Sequence, residues 1–143
     1  MTEPVIIDTG PIVAILSLRD QHHAKCLETF RRLGTPPVTC WPVLTEATWM
    51  LRHVPNGPAS ALELIGQGAV KIEHLDRDDA ATIERLIRTP KLKGLQLADA
   101  CLVRLSAKVG VTTIFTLDRR DFSRPDLGTA VPLSIIPDWP PNP

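Results

Sequence analysis

Five short runs rich in branched apolar residues punctuate this chain: PVII at 4–7, VTC at 38–40, VKIEHL at 70–75, TTIFTL at 112–117 and PLSIIP at 132–137. Between them lie stretches with helical spacing of apolar residues. Strands alternating with helices predict an α/β architecture with a mainly parallel central sheet, because each return to the sheet then crosses over through a helix. The helical stretches carry their own punctuation. Pro11 stands where a first turn begins, ahead of IVAILSL, and Trp41-Pro42 starts PVLTEATWMLRHV. Asp20 opens HHAKCLETFRRLG, closed by Gly34. ALELIGQG reads as a further short helix. Asp76 caps DRDDAATIERLIR, and LQLADACLVRLSAKVG runs from Gly94 to a stop at Gly110. DRRDF reads as a short turn, and PDWPPNP as a loop-like tail.

At 143 residues with no repeat and no linker, one domain spanning 1–143 is expected, long enough to bury a substantial core. No apolar run reaches membrane-spanning length. MTEPVIIDTG carries an acid at Glu3 and no basic leader, so no signal peptide is expected. Three cysteines without CxxC spacing argue against a disulfide framework or a zinc knuckle and suit a reducing cytoplasm. Sixteen acids balance sixteen bases. Withdrawing a few acids into a site leaves a mildly basic surface, which permits a polyanion partner. With no Tyr and only 4% aromatics, an aromatic stacking platform for single strands is not expected.

Most of the acids look solvated. Glu28, for example, has Arg31 and Arg32 at helical spacing. Four do not. Glu46 has Pro42, Val43, Trp49 and Met50 around it, and Asp99 has Leu95, Gln96, Leu102 and Val103. Asp8 ends the VII strand and Asp118 ends the IFTL strand. An ionised carboxylate on an apolar face costs several kcal/mol unless it gains a proton, a partner or a metal. In a parallel sheet, sites gather at the carboxyl ends of strands. Asp8 and Asp118 lie at such ends, and Glu46 and Asp99 are expected in the first turns of helices entered from that edge. Four oxygen ligands without His or Cys favour Mg²⁺ or Mn²⁺ over zinc. Local readings also exist: Asp8 and Asp118 as helix caps, Asp99 as a first-turn acid, and Glu46 paired with Arg52 or Arg104.

A strand followed by Asp-Thr-Gly also occurs in aspartic proteases, but those are nearly all β. A phosphotransfer domain built on one strand-end Asp needs a second Asp two residues on, or a lysine after a later strand. Here Asp8 is followed by Thr9-Gly10, and FTL by Asp118.

VIIDTGPIVAIL, LTEATWML, LQLADACLVRLSAKVG and IFTLDRRDF, in that order and spacing, resemble the PIN-domain ribonucleases, and most closely the VapC-like toxins of bacterial toxin–antitoxin pairs. The resemblance covers nearly the whole chain. It implies a PIN-like α/β/α sandwich, an acidic site on Asp8, Glu46, Asp99 and Asp118, and metal held by Asp8, Asp99 and Asp118. Thr9, Thr116 and Asp121 fall at supporting positions, although the two threonines also suit ordinary strand and turn chemistry. It further implies Mg²⁺ (or Mn²⁺), an RNA substrate, a cognate antitoxin and a homodimer. Arg119 and Arg120 are candidates for phosphate contacts; Arg31-Arg32 and Lys91-Lys93 read as surface charge, and His22-His23 as surface residues. Rival readings are an RNA-processing or structure-specific DNA nuclease of the same fold without an antitoxin, and a catalytically idle PIN interaction module. The full acidic set counts against the idle module.

Overall fold

The computed structural model describes residues 3–129 and 131–138. The tail beyond Asp138 and the first two residues, on which the tail and leader expectations partly rest, lie outside the described residues. Five parallel strands form one sheet in the order β3-β2-β1-β4-β5, flanked by helices. They are β1 (Ile6–Ile7), β2 (Val38–Thr39), β3 (Lys71–Ile72), β4 (Thr113–Phe115) and β5 (Ser134–Ile136). The crossovers are α1 (Thr9–Leu16) and α2 (His23–Arg31), α3 (Trp41–Met50) and α4 (Gly57–Gly66), α5 (Ala80–Arg88) and α6 (Leu97–Val109), and the four-residue α7 (Arg119–Phe122). The α/β architecture expected from the alternation is therefore present.

The ladders are shorter than the apolar runs that announce them. Of VKIEHL, Lys71 and Ile72 form the ladder to β2, and the Glu73 amide donates to the Thr39 carbonyl at 3.0 Å. DRRDF, expected as a turn, forms α7. The second helix starts at His23 rather than at Asp20, whose side chain instead accepts the His22 amide at 2.8 Å. His22 and His23 are half-buried rather than surface residues; the His23 ring meets the Ala14 carbonyl oxygen at 2.7 Å and ties α2 to α1. Gly110 stops α6 with a left-handed φ of 69°, a conformation that costs glycine nothing.

The centre of the sheet is the core. Ile6, Ile7, Ile114 and Phe115 are each 1% exposed or less, and each full burial of this kind contributes about 1.5–3 kcal/mol. That burial fixes the carboxyl ends of β1 and β4 in space. Among the described residues no helix is long and apolar enough to cross a membrane.

Candidate functional site

The strand order reverses at β1, between β2 on one side and β4 on the other. In open parallel sheets the crevice for a ligand lies at such a reversal, outside the carboxyl ends of the strands. Asp8 directly follows β1 and N-caps α1; its Oδ1 accepts the Thr9 amide at 2.7 Å. Its Oδ2 accepts the Thr116 hydroxyl at 2.8 Å, just past β4. Thr116 Oγ1 in turn accepts the Asp118 amide at 2.9 Å. On the other side, the Thr9 hydroxyl donates to Glu46 Oε1 at 3.0 Å. The Thr116 hydroxyl thus ties Asp8 to the Asp118 backbone, and Thr9, through its amide and its hydroxyl, ties Asp8 to the helix bearing Glu46. Strand and turn chemistry, the local reading of these threonines, misses both contacts. Gly10 permits the close approach: a Cβ there would lie 3.3 Å from Leu117 Cδ1.

Glu46 sits one turn further into α3 than the first-turn placement expected for it, because the helix begins at Trp41. Asp99 is in the first turn of α6, where its Oδ2 accepts the Gln96 amide at 3.0 Å. The local capping readings of Asp8, Asp99 and Asp118 are therefore real contacts, but each occupies a single oxygen. Asp118 caps α7 by accepting the Asp121 amide at 3.0 Å.

The carboxylates also act on one another electrostatically. Burial pushes the Asp8 carboxyl from 3.8 up to about 7; hydrogen bonds from Thr116 and Thr9 oppose the rise, and Asp99 and Glu46 add to it. Asp99 is also raised, first by burial, against its Gln96 hydrogen bond and with Asp121, Glu46 and Asp118 adding repulsion. Asp121 is raised by burial and by Asp118, with Arg124 opposing. Asp99 thus lies in the fields of Glu46, Asp118 and Asp121, and Asp8 in those of Asp99 and Glu46.

Their neutralisation differs. Asp121 ion-pairs with Arg124. Among the described residues no Lys, Arg or His ion-pairs with Asp8, Glu46, Asp99 or Asp118. Arg104, one of the two partners considered for Glu46, is 2.8 Å from Asp79 instead; the other, Arg52, stacks over Trp49 at 4.0 Å. Asp79 was not singled out from sequence. It is buried, and Lys108 at 2.9 Å, the Asp76 amide and Arg104 together hold its carboxyl well below the usual range. Its partners lie 25 and 29 residues away, so spacing gives no signal for them. Arg124, three residues from Asp121, was legible at helical spacing and overlooked.

Among the described residues no three His, Cys, Asp or Glu side chains form a group ready to hold a metal ion. The donor chemistry nonetheless suits a hard divalent cation: the uncompensated groups offer only carboxylate and hydroxyl oxygen. Mg²⁺ commonly keeps several waters and takes one or two carboxylates directly, so a tight cage is not required. Arg119 and Arg120 are exposed on α7, beside Asp118. Arg31, Arg32, Lys91 and Lys93 are exposed, as expected, with Arg32 on Glu28 at 2.8 Å.

Residues 5–127 match the family model of the PIN domain. The chain belongs to the PIN domain family. A solved structure similar to this PIN domain is VapC20 of Mycobacterium tuberculosis, a sarcin-ricin-loop-cleaving toxin, with a TM-score of 0.73 at 20% identity, covering 82% of this chain and 92% of that one. At such identity the likeness establishes the fold. No curated protein matches this PIN domain by sequence.

Proposed function

We propose that this chain is a single PIN domain acting in the cytoplasm as a divalent-cation-dependent endoribonuclease, the toxin of a toxin–antitoxin pair. The observation that carries the reading is Asp8: a carboxylate buried at the reversal point of the sheet, in the fields of Asp99 and Glu46, with no ion-pair partner among the described residues. Membership of the PIN family and the shared fold with an RNA-cleaving toxin support it.

Asp8, Asp99 and Asp118 would hold Mg²⁺ or Mn²⁺. Such a cation, when bound, lowers the pKa of its water and offsets charge on phosphoryl oxygens. The residues of the chain do the rest. Thr116 and Thr9 fix both oxygens of Asp8, so its carboxylate has one orientation. Thr9 holds one oxygen of Glu46, which leaves the other to accept a proton from the attacking water. Asp121, held by Arg124, braces Asp118 across the start of α7. Arg119 and Arg120, exposed beside Asp118, would contact backbone phosphates of the RNA. Exposed Trp49 and Met50 on α3 and Leu62 on α4 leave apolar surface that suits a protein partner, an antitoxin or a second copy.

Cleavage assays on RNA and DNA side by side, with Mg²⁺, Mn²⁺ or a chelator, test the proposal. Asp8→Asn and Asp99→Asn are expected to lose RNA cleavage by about 10²-fold or more while the circular dichroism stays native. Undiminished cleavage in both variants would remove the site. Preference for DNA would favour the structure-specific nuclease, and RNA cleavage that no co-expressed neighbouring gene product silences would favour an RNA-processing role.

A further inference from the structure

The loop that leads into α6 is built as a platform. It leaves α5 through a short 3₁₀ turn, Pro90–Leu92, whose Leu92 is buried. The Leu92 amide donates to the Thr89 carbonyl at 2.9 Å, and the Leu95 amide to the Leu92 carbonyl at 3.0 Å. This turn packs against a second one, Pro125–Leu127, just beyond α7. Arg124 joins the two segments. Its Nη1 donates to the Lys93 carbonyl at 3.1 Å, while its Nη2 holds the Asp121 carboxylate. The Asp121 amide in turn donates to Asp118. One guanidinium therefore links the loop that precedes Asp99 to the turn that follows Asp118.

The topology sets this joined surface on the same edge of the sheet as the acids. α7 follows the carboxyl end of β4, whereas α6 runs into the amino end of β4. The start of α6, with the loop before it, therefore lies at the carboxyl edge. Arg31 and Arg32 lie at the opposite edge, because α2 runs into the amino end of β2. Along residues 89–96 and 119–127 the bases are Lys91, Lys93, Arg119, Arg120 and Arg124, against the acids Asp121 and Asp126. Arg124 is engaged by Asp121. Lys91, Lys93, Arg119 and Arg120 are exposed, and among the described residues none of the four ion-pairs. Arg32, Lys71 and Arg88, by contrast, each have an acid. Uncommitted cations held on two joined segments attract a polyanion more strongly than scattered ones.

We propose that Lys91 and Lys93 extend the Arg119–Arg120 face into one phosphate-binding track, with Arg124 as the positioning residue that holds its two halves together beside the acidic site. The occupant is an RNA strand long enough to lie across both halves, an identity that rests on the nuclease reading. Such cations hold phosphate oxygens and carry no base preference, so the track sets affinity and register rather than cleavage sequence. Arginine suits the joint because its planar fork donates in two fixed directions; lysine offers a single point charge.

The test measures binding of a fluorescein-labelled single-stranded RNA to the full chain by anisotropy, in chelator, across a series of KCl concentrations. The double variant Lys91→Ala/Lys93→Ala is expected to bind about fivefold more weakly or worse, with the slope of log affinity against log salt shallower by about 1.4, or about 0.7 per lost contact. Arg31→Ala/Arg32→Ala removes the same charge from the opposite edge and should keep the wild-type slope. A wild-type slope in the lysine variant, an equal loss in the α2 variant, or a wild type that does not bind RNA would each overturn the track. In Mn²⁺, the lysine variant should raise KM for RNA severalfold and spare kcat. Arg124→Lys, which can keep Asp121 paired but releases the Lys93 carbonyl, should do the same. A wild-type KM in Arg124→Lys would overturn the positioning role. A chain that binds RNA with the expected slopes but never cleaves it would leave the track standing and sink the nuclease reading alone.

Discussion

Asp8 and Asp79 show two fates of a buried acid in one molecule. Asp79 keeps its charge because Arg104 and Lys108 each take an oxygen. Among the described residues Asp8 has only neutral donors, Thr9 and Thr116, and burial raises its carboxyl from 3.8 to about 7. Between those values the folded, metal-free chain holds a proton that the unfolded chain has released. Stability from this group is thus full below about pH 4, falls as pH rises, and is gone above about pH 7. The span amounts to at most about 4 kcal/mol, and Asp99, raised in the same sense, adds to it. Asp8→Asn replaces the proton-holding carboxyl by a neutral amide of the same shape. In chelator, urea midpoints at pH 5 and pH 8 are expected to differ less for Asp8→Asn than for wild type, with the variant the more stable at pH 8. An equal pH dependence in both proteins would show that Asp8 is ionised in the folded state, its charge met by some other group.

At the scale of elements, the sequence announces where helices and strands occur better than where they stop. Apolar runs mark strands because buried strands need them, yet only the residues that find a hydrogen-bonded neighbour join the ladder, and that depends on the paired strand. VKIEHL illustrates this, with a ladder of two residues at the sheet edge. α7 escaped notice because four residues carry too little periodicity to distinguish a helix from a turn. α7 sets Arg119 and Arg120 on an exposed face directly after Asp118. Replacing both by alanine is expected to raise KM for RNA severalfold with little change in kcat. The slope of log affinity against log salt should shallow by about 0.7 per lost phosphate contact. Unchanged KM and salt dependence would mean that the two arginines are merely solvated.

Taken whole, the molecule draws acids from four separate segments to one edge of its sheet. Asp8, Glu46, Asp99 and Asp118 were legible because each stood among apolar neighbours or at a strand end, and a strand order that reverses at β1 brings those ends together. The contacts that organise them were not legible, since the Thr116–Asp8 hydrogen bond spans 108 residues and Thr9–Glu46 spans 37. Gathering like charges without bases lowers stability near neutral pH, and a divalent cation would restore it by binding only the folded state. Thermal unfolding at pH 7.5 with and without millimolar Mn²⁺ measures that coupling directly. Wild type should gain several degrees, and Asp8→Asn and Asp99→Asn should gain little or nothing. A wild-type melting temperature indifferent to Mn²⁺, or an equal gain in all three proteins, would contradict a cation site built from these carboxylates.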